Sequence, residues 1–363
     1  MGSSVKKIGI ATDGSKSAKV MQLAVMSGLA GAGSAVTDFG EAFEAQLNFL
    51  VNFCGLDSGI FISGGDGREI KLCGEGGLSI TRGFERAVEN AMAKCEFREA
   101  SENEITEISE MASVKQLYMQ ELLKQAVSGL QGVGAVFECE NEGIKTILTN
   151  CALRLGACEN SDLIFKIDAT GTMLSAVYAG ESYDHEKLLA VCCDSDMKNG
   201  RNIAVPYDAP AFLDSLAESR GRKVYRYLTT PADDADSAAR SLAAKQVYVR
   251  DGLFLAIKLL SIMKERECTL DRLAAELPEK YIVRKTVIIN FAPSGLSSVI
   301  GEESVRSKND YEGIRLIKRK GKLLVVPERS GRAVRILAEA DTMEAAQELC
   351  ADIEELIGSA GEQ

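Results

Sequence analysis

From residue 7 to about residue 280, short apolar runs take turns with segments whose apolar residues recur every three or four positions. Residues 7–12 (KIGIAT) read as a strand, and Val20, Leu23, Ala24, Met26 and Leu29 give helical spacing up to Gly31. Residues 35–38 follow as a strand, 43–51 as a helix and 59–62 as a third strand. Residues 81–94 form a helix with Phe84, Ala87, Val88 and Ala91 on one face. Residues 102–130 are polar and read as a helical connection. Strand patterns return at 134–139, 162–167, 175–178, 203–207 and 223–228, with helices at 211–219 and 253–263. The last part differs: strands at 323–326 and 333–340, then one amphipathic helix over 342–357. Met343, Ala346, Leu349, Cys350, Ile353 and Leu356 are expected to point inward there. Alternating strand and helix predicts the α/β class, with mostly parallel sheets joined by right-handed crossovers.

Composition narrows the chemistry. The 363 residues carry 42 basic and 53 acidic side chains, a net charge of −11, which disfavours nucleic acid as a partner. No apolar run approaches the roughly 18 residues a membrane span needs. No apolar segment follows Lys6 and Lys7, so no secretion signal or membrane partner is expected and the location is expected to be cytoplasmic. The 10 cysteines contain no CxxC pair, so zinc is not signalled. His185 is the sole histidine, in a charged helix start, so proton transfer would fall to carboxylates, Lys and Tyr.

The most informative stretch is 59–78, GIFISGGDGREIKLCGEGGL. A strand runs into Ser63-Gly64-Gly65-Asp66-Gly67, returns as a second strand and ends in Gly74-Glu75-Gly76-Gly77. Glycines at the carboxyl end of an α/β strand let backbone approach a phosphate. The bland reading is a tight turn with one capping serine.

These residues resemble the serine loop of the α-D-phosphohexomutases, the superfamily of phosphoglucomutase, phosphomannomutase and phosphoglucosamine mutase. Members read G-I-M-I-T-A-S-H-N-P and then N-G-I-K-L-F-G-x-G-G. Here Gly59-Ile60-Phe61-Ile62 and Ile70-Lys71-Leu72-Cys73-Gly74-Glu75-Gly76-Gly77 keep the flanks, while Gly65 stands at the phosphoserine and Asp66 at the histidine. Ser63 is the remaining hydroxyl. The resemblance implies four sequential domains: 1–100 with the serine loop, 101–194 with the metal loop, 195–284 with the sugar loop and 285–363 with the phosphate loop. The first three would be mixed α/β/α sandwiches and the fourth α+β.

The chemical loops depart from the family one by one. Asp13 alone survives of G-R-D-T-R. The family's Mg²⁺ loop carries three aspartates; here Asp168 is followed by Thr170 and Thr172, a poor set for a hard cation. The sugar-gripping G-E-E-S-G-H is missing, and Glu302-Glu303-Ser304 comes too late in the chain to replace it. The phosphate loop R-P-S-G-T-E-P-x-x-R becomes Pro327 to Arg335, with Arg329, Ser330, Arg332 and Arg335 as residual phosphate-binding candidates. Scaffold segments such as Asp251–Leu260 are kept.

The expectation is a phosphohexomutase-like protein of carbohydrate metabolism that is catalytically inactive. It would bind a sugar phosphate or act as a scaffold, alone or in a homo- or hetero-oligomer with a related mutase. No cofactor is expected, since the family's Mg²⁺ ligands are mostly absent. The alternative is a divergent active mutase using Ser63 as phosphoserine and Asp168 as a metal ligand. An interdomain cleft lined by Lys71, Arg329, Arg332 and Arg335 would favour sugar-phosphate binding.

Overall fold

The computed structural model describes residues 5–65, 67–229, 236–292, 295–300, 313–328 and 332–360. Glu302, Glu303, Ser304, Arg329, Ser330 and Asp66 lie outside them. The described chain builds four sheets in sequence order.

The first contains β1 (Lys7–Thr12), β2 (Ala35–Glu41), β3 (Ser58–Ser63), β4 (Glu69–Cys73) and β5 (Ile108–Glu110), in the order β4-β3-β1-β2-β5. Helices α1 (Lys16–Gly31), α2 (Glu44–Phe53) and α3 (Arg82–Lys94) belong to the same stretch. Pairing is parallel except for β3 with β4, where the chain doubles straight back. β5 lies beyond residue 100 and pairs with β2. The polar segment 102–130 is therefore partly strand, and its helix is confined to α4 (Val114–Leu123). The apolar face foreseen on α3 is present, yet none of the helix is buried: Phe84 is 49% and Met92 65% exposed.

The second sheet holds β6 (Val136–Glu138), β7 (Ile164–Ile167), β8 (Leu174–Tyr178) and β9 (Glu181–Tyr183), with α5 (Glu142–Arg154) and α6 (His185–Lys198). Only β6 and β7 pair in parallel; β7-β8-β9 is a meander. The connections there are too short for a crossover helix, so the mostly parallel expectation does not extend to this sheet. The third sheet is the parallel pair β10 (Ile203–Pro206) and β11 (Val224–Tyr227), with α7 (Phe212–Ser219), α8 (Ser237–Lys245), α9 (Gly252–Glu265) and α10 (Leu270–Ala275). The fourth is antiparallel: β12 (Tyr281–Ile288), β13 (Ile314–Lys318), β14 (Gly321–Pro327) and β15 (Ala333–Ala340), ordered β12-β15-β14-β13. Helices α11 (Leu296–Ile300) and α12 (Met343–Ala360) complete it.

Residues of the first three sheets share one continuous core, whereas the fourth sheet and α12 have their own. α9 runs through the shared core and is buried along nearly its whole length. Its Phe254 stacks on Phe49 at 5.5 Å and meets Tyr118 edge-on. On α12 the inward row is Ala346, Leu349, Cys350, Ile353 and Ile357; Met343 and Leu356 are each 41% exposed, contrary to their expected inward position. Among the described residues, no helix is long and apolar enough to cross a membrane.

Candidate functional site

β1 and β3 run side by side with Thr12 opposite Ile62, so Asp13 and Ser63 leave the sheet together. Asp13 Oδ2 accepts the Gly64 N–H at 2.9 Å and Oδ1 accepts the Ser15 N–H at 2.9 Å. Partial burial pushes this carboxyl's pKa up, but those backbone donors outweigh it and hold the pKa below the ordinary 3.8. Ser15 caps α1, and Ser17 Oγ accepts the Gly65 N–H at 3.4 Å. A Cβ built on Gly64 would lie 2.0 Å from Ser15 Oγ and 2.3 Å from Ser17 Oγ. Two hydroxyls from the first helical turn thus occupy the room a loop side chain would need. The turn Asp13-Gly14-Ser15-Lys16-Ser17 reads as capping chemistry in sequence; its spacing gave no sign of this second contact. Ser63 is half-buried, with its Oγ 3.5 Å from Glu69 O, at the limit of a hydrogen bond.

Asp168 follows β7, and its carboxylate is occupied by its own loop. The Thr170 hydroxyl donates to Oδ2, with Thr172 Oγ1 at 3.4 Å from the same oxygen and 2.7 Å from Thr170 Oγ1. The Met173 N–H donates to Oδ1 at 2.8 Å. Thr170 O in turn accepts the Ala45 N–H at 3.1 Å, tying this loop to the first turn of α2. His185, at the start of α6, accepts the Leu174 N–H on Nδ1 at 3.1 Å; its burial lowers its pKa against the raising pull of Asp184 and Asp168. It is a structural acceptor and not the surface residue its charged neighbours suggest.

On the fourth sheet, Arg335 faces Asp208 across 3.4 Å. Thr286 pairs with Arg335, and Arg284 shares their face of β12. Arg284 grips both oxygens of Glu186, with Nη1 to Oε2 at 2.6 Å. Burial raises the Glu186 pKa, and Arg284 opposes the rise. A pocket of about 150 Å³ lies among Asp208, Arg284, Thr286 and Arg335. Arg226, nearly buried, braces the turn after β10: it donates to the Pro206, Tyr207, Ala209 and Pro210 carbonyls and pairs with Asp214 at 2.7 Å. Arg332 stands just before β15, and its carbonyl accepts the Ile289 N–H at 2.9 Å. Lys71, expected in the cleft, is instead paired with Glu44 at 2.7 Å and Glu69 at 3.7 Å.

No family model matches the chain. It is similar to a "Probable phosphoglucosamine mutase" of Methanopyrus kandleri, with 24% identity covering 91% of this chain and 85% of the relative. It is also similar to a "Phosphoglucosamine mutase" of Parafrankia sp. (strain EAN1pec), with 22% identity over 96% of this chain and 85% of the relative. A crystal structure of a phosphoglucomutase/phosphomannomutase family protein from Burkholderia thailandensis superposes with a TM-score of 0.76. That match has 15% identity and covers 98% of this chain and 89% of the other. The fold is that of the α-D-phosphohexomutases.

Within the phosphohexomutase fold, the kept Gly74-Glu75-Gly76-Gly77 turn has a packing role in this chain. Arg250 Nη2 donates to Gly76 O at 2.7 Å and its Nη1 to Ala243 O at 2.7 Å. Gly77 (φ 67°) lies so close to α2 that a Cβ would stand 1.9 Å from Asn48 O. The phosphohexomutase Mg²⁺ does not fit the donors at Asp168. One carboxylate, already accepting from two hydroxyls and an N–H, offers little to offset the dehydration of a hard divalent ion. Among the described residues, no three His, Cys, Asp or Glu side chains gather as a metal-ligand group.

Proposed function

We propose that this chain is a phosphohexomutase-like protein that has lost phosphoryl transfer and acts by binding a sugar phosphate or by scaffolding a related mutase. The supporting observation is the Asp168 loop, whose carboxylate is satisfied by Thr170, Thr172 and Met173. Phosphoryl transfer depends on positioning and on charge stabilisation at the moving group. A scaffold that spends its one loop carboxylate on internal hydrogen bonds, and fills the space at Gly64 with Ser15 and Ser17, supplies neither. On the fourth sheet Arg284 and Arg335 are themselves paired with Glu186 and Asp208, so neither stands ready as a cationic clamp on a moving phosphoryl group.

The test is a coupled assay of the purified chain with glucose 1-phosphate, mannose 1-phosphate and glucosamine 1-phosphate in the presence of Mg²⁺. The expected result is no conversion, with a sugar-phosphate-dependent rise in Tm. Turnover at ordinary enzyme rates would overturn the proposal and favour the active-mutase reading, in which intact mass would show a phosphate on Ser63 that Ser63→Ala removes.

A further inference from the structure

The chain is acidic, yet a second pocket, apart from that on the fourth sheet, also has a basic lining. An open groove of about 680 Å³ is lined by α6, α8, α9 and the amino-terminal ends of β10 and β11. Its basic residues are Arg201, Lys245 and Lys258, and its one acidic residue is Asp196. Asp208 and Arg335 lie at the other, carboxyl end of β10, so this groove is separate from the site above.

Asp196 is buried and spoken for. Lys258 Nζ lies 2.8 Å from each of its oxygens, Tyr248 OH donates to Oδ2 at 2.7 Å, and Arg201 stands 3.4 Å from Oδ1. Lys258 is the one charged side chain in the apolar run Leu253–Leu260 of α9, and it is fixed over the Tyr248 ring at 4.0 Å. Lys245 is exposed at the end of α8. Three cations against one carboxylate leave a surplus of two positive charges, which matches a phosphate dianion. The volume is in the range that takes a metabolite. Asn202 Oδ1 accepts the Lys223 N–H at 3.0 Å, which leaves its amide NH₂ as a donor, and Ser241 lines the same groove.

We infer that this groove binds a small phosphate-bearing molecule, with Arg201 and Lys245 as its main contacts. Binding would also brace α8. Ser241 and Lys245 face the groove, while the other side of α8 docks on the first unit through Arg240 to Ser79 O and Asn52 Nδ2 to Ala244 O at 2.8 Å. This inference stands independently of the reading proposed above.

The experiment is isothermal titration of the intact chain with inorganic phosphate at constant ionic strength. It compares wild type, Arg201→Gln/Lys245→Gln and Arg332→Gln/Arg335→Gln, each checked for native circular dichroism. Wild type and the Arg332/Arg335 variant are expected to bind saturably. The Arg201/Lys245 variant should bind more weakly by about tenfold or more, as for lost charge-assisted contacts. Unchanged binding in the Arg201/Lys245 variant, or no saturable binding to wild type, overturns the inference. Loss confined to the Arg332/Arg335 variant also overturns it, while supporting a phosphate site on the fourth sheet.

Discussion

The Gly64 N–H donates to Asp13 Oδ2 at 2.9 Å, and that bond locks the glycine loop after β3 onto the turn after β1. The loop then closes against Ser15 and Ser17, so its shape is set by the first helix as much as by its own glycines.

Gly64→Ala should destabilise the fold by about 1–3 kcal/mol, the usual cost of overpacking. In a Ser15→Gly/Ser17→Ala background most of that loss should vanish. Urea unfolding in a double-mutant cycle measures the coupling. Equal losses in both backgrounds would mean that the two hydroxyls do not fill this space.

Thr170→Asp/Thr172→Asp would return two carboxylates beside Asp168. The variant should be less stable without divalent ions, through like-charge repulsion, and should regain stability with Mg²⁺. Calorimetric titration with MgCl₂ is expected to show saturable binding for the variant and none for wild type. Saturable binding to the wild-type chain would contradict the poor fit argued for its donors.

Arg250→Met removes both donors that join the Gly74–Gly77 turn to α8. A loss of about 1–3 kcal/mol is expected, chiefly from the Gly76 carbonyl, since Ala243 O keeps the Gln246 N–H. Arg250→Lys should recover little, because one ammonium cannot reproduce a planar fork with two carbonyls. Hydrogen exchange should rise selectively at the Gly77 amide, whose acceptor is Gly74 O.

Asp251 should give stability a specific pH dependence. Burial pushes its carboxyl up to about 6 from the ordinary 3.8, against hydrogen bonds from Tyr118 and the N–H groups of Phe254 and Leu253. A raised folded value means that folding takes up a proton. This contribution is therefore fully present below pH 3.8 and is lost as pH rises through about 6. Asp251→Asn keeps an oxygen for the α9 cap and should remove that slope. The check is the difference in unfolding free energy between wild type and variant across this window; a flat difference would refute the assignment.

The order of elements was legible because periodicity and capping act within a few residues. β15 at Ala333–Ala340 matches the predicted strand, and the helix expected over 253–263 is α9. Asp168 likewise stood out as a lone carboxylate ahead of two threonines. Tertiary structure alone decided the rest. β5 joins a sheet begun about a hundred residues earlier, α3 leaves its apolar face uncovered, and Lys258 finds Asp196. Spacing announces none of these, because each partner was chosen when distant segments closed around one shared core. The glycines of the Gly74–Gly77 turn show the division plainly. Sequence marked a place where backbone must come close; only the folded chain showed that what comes close is α2 and Arg250.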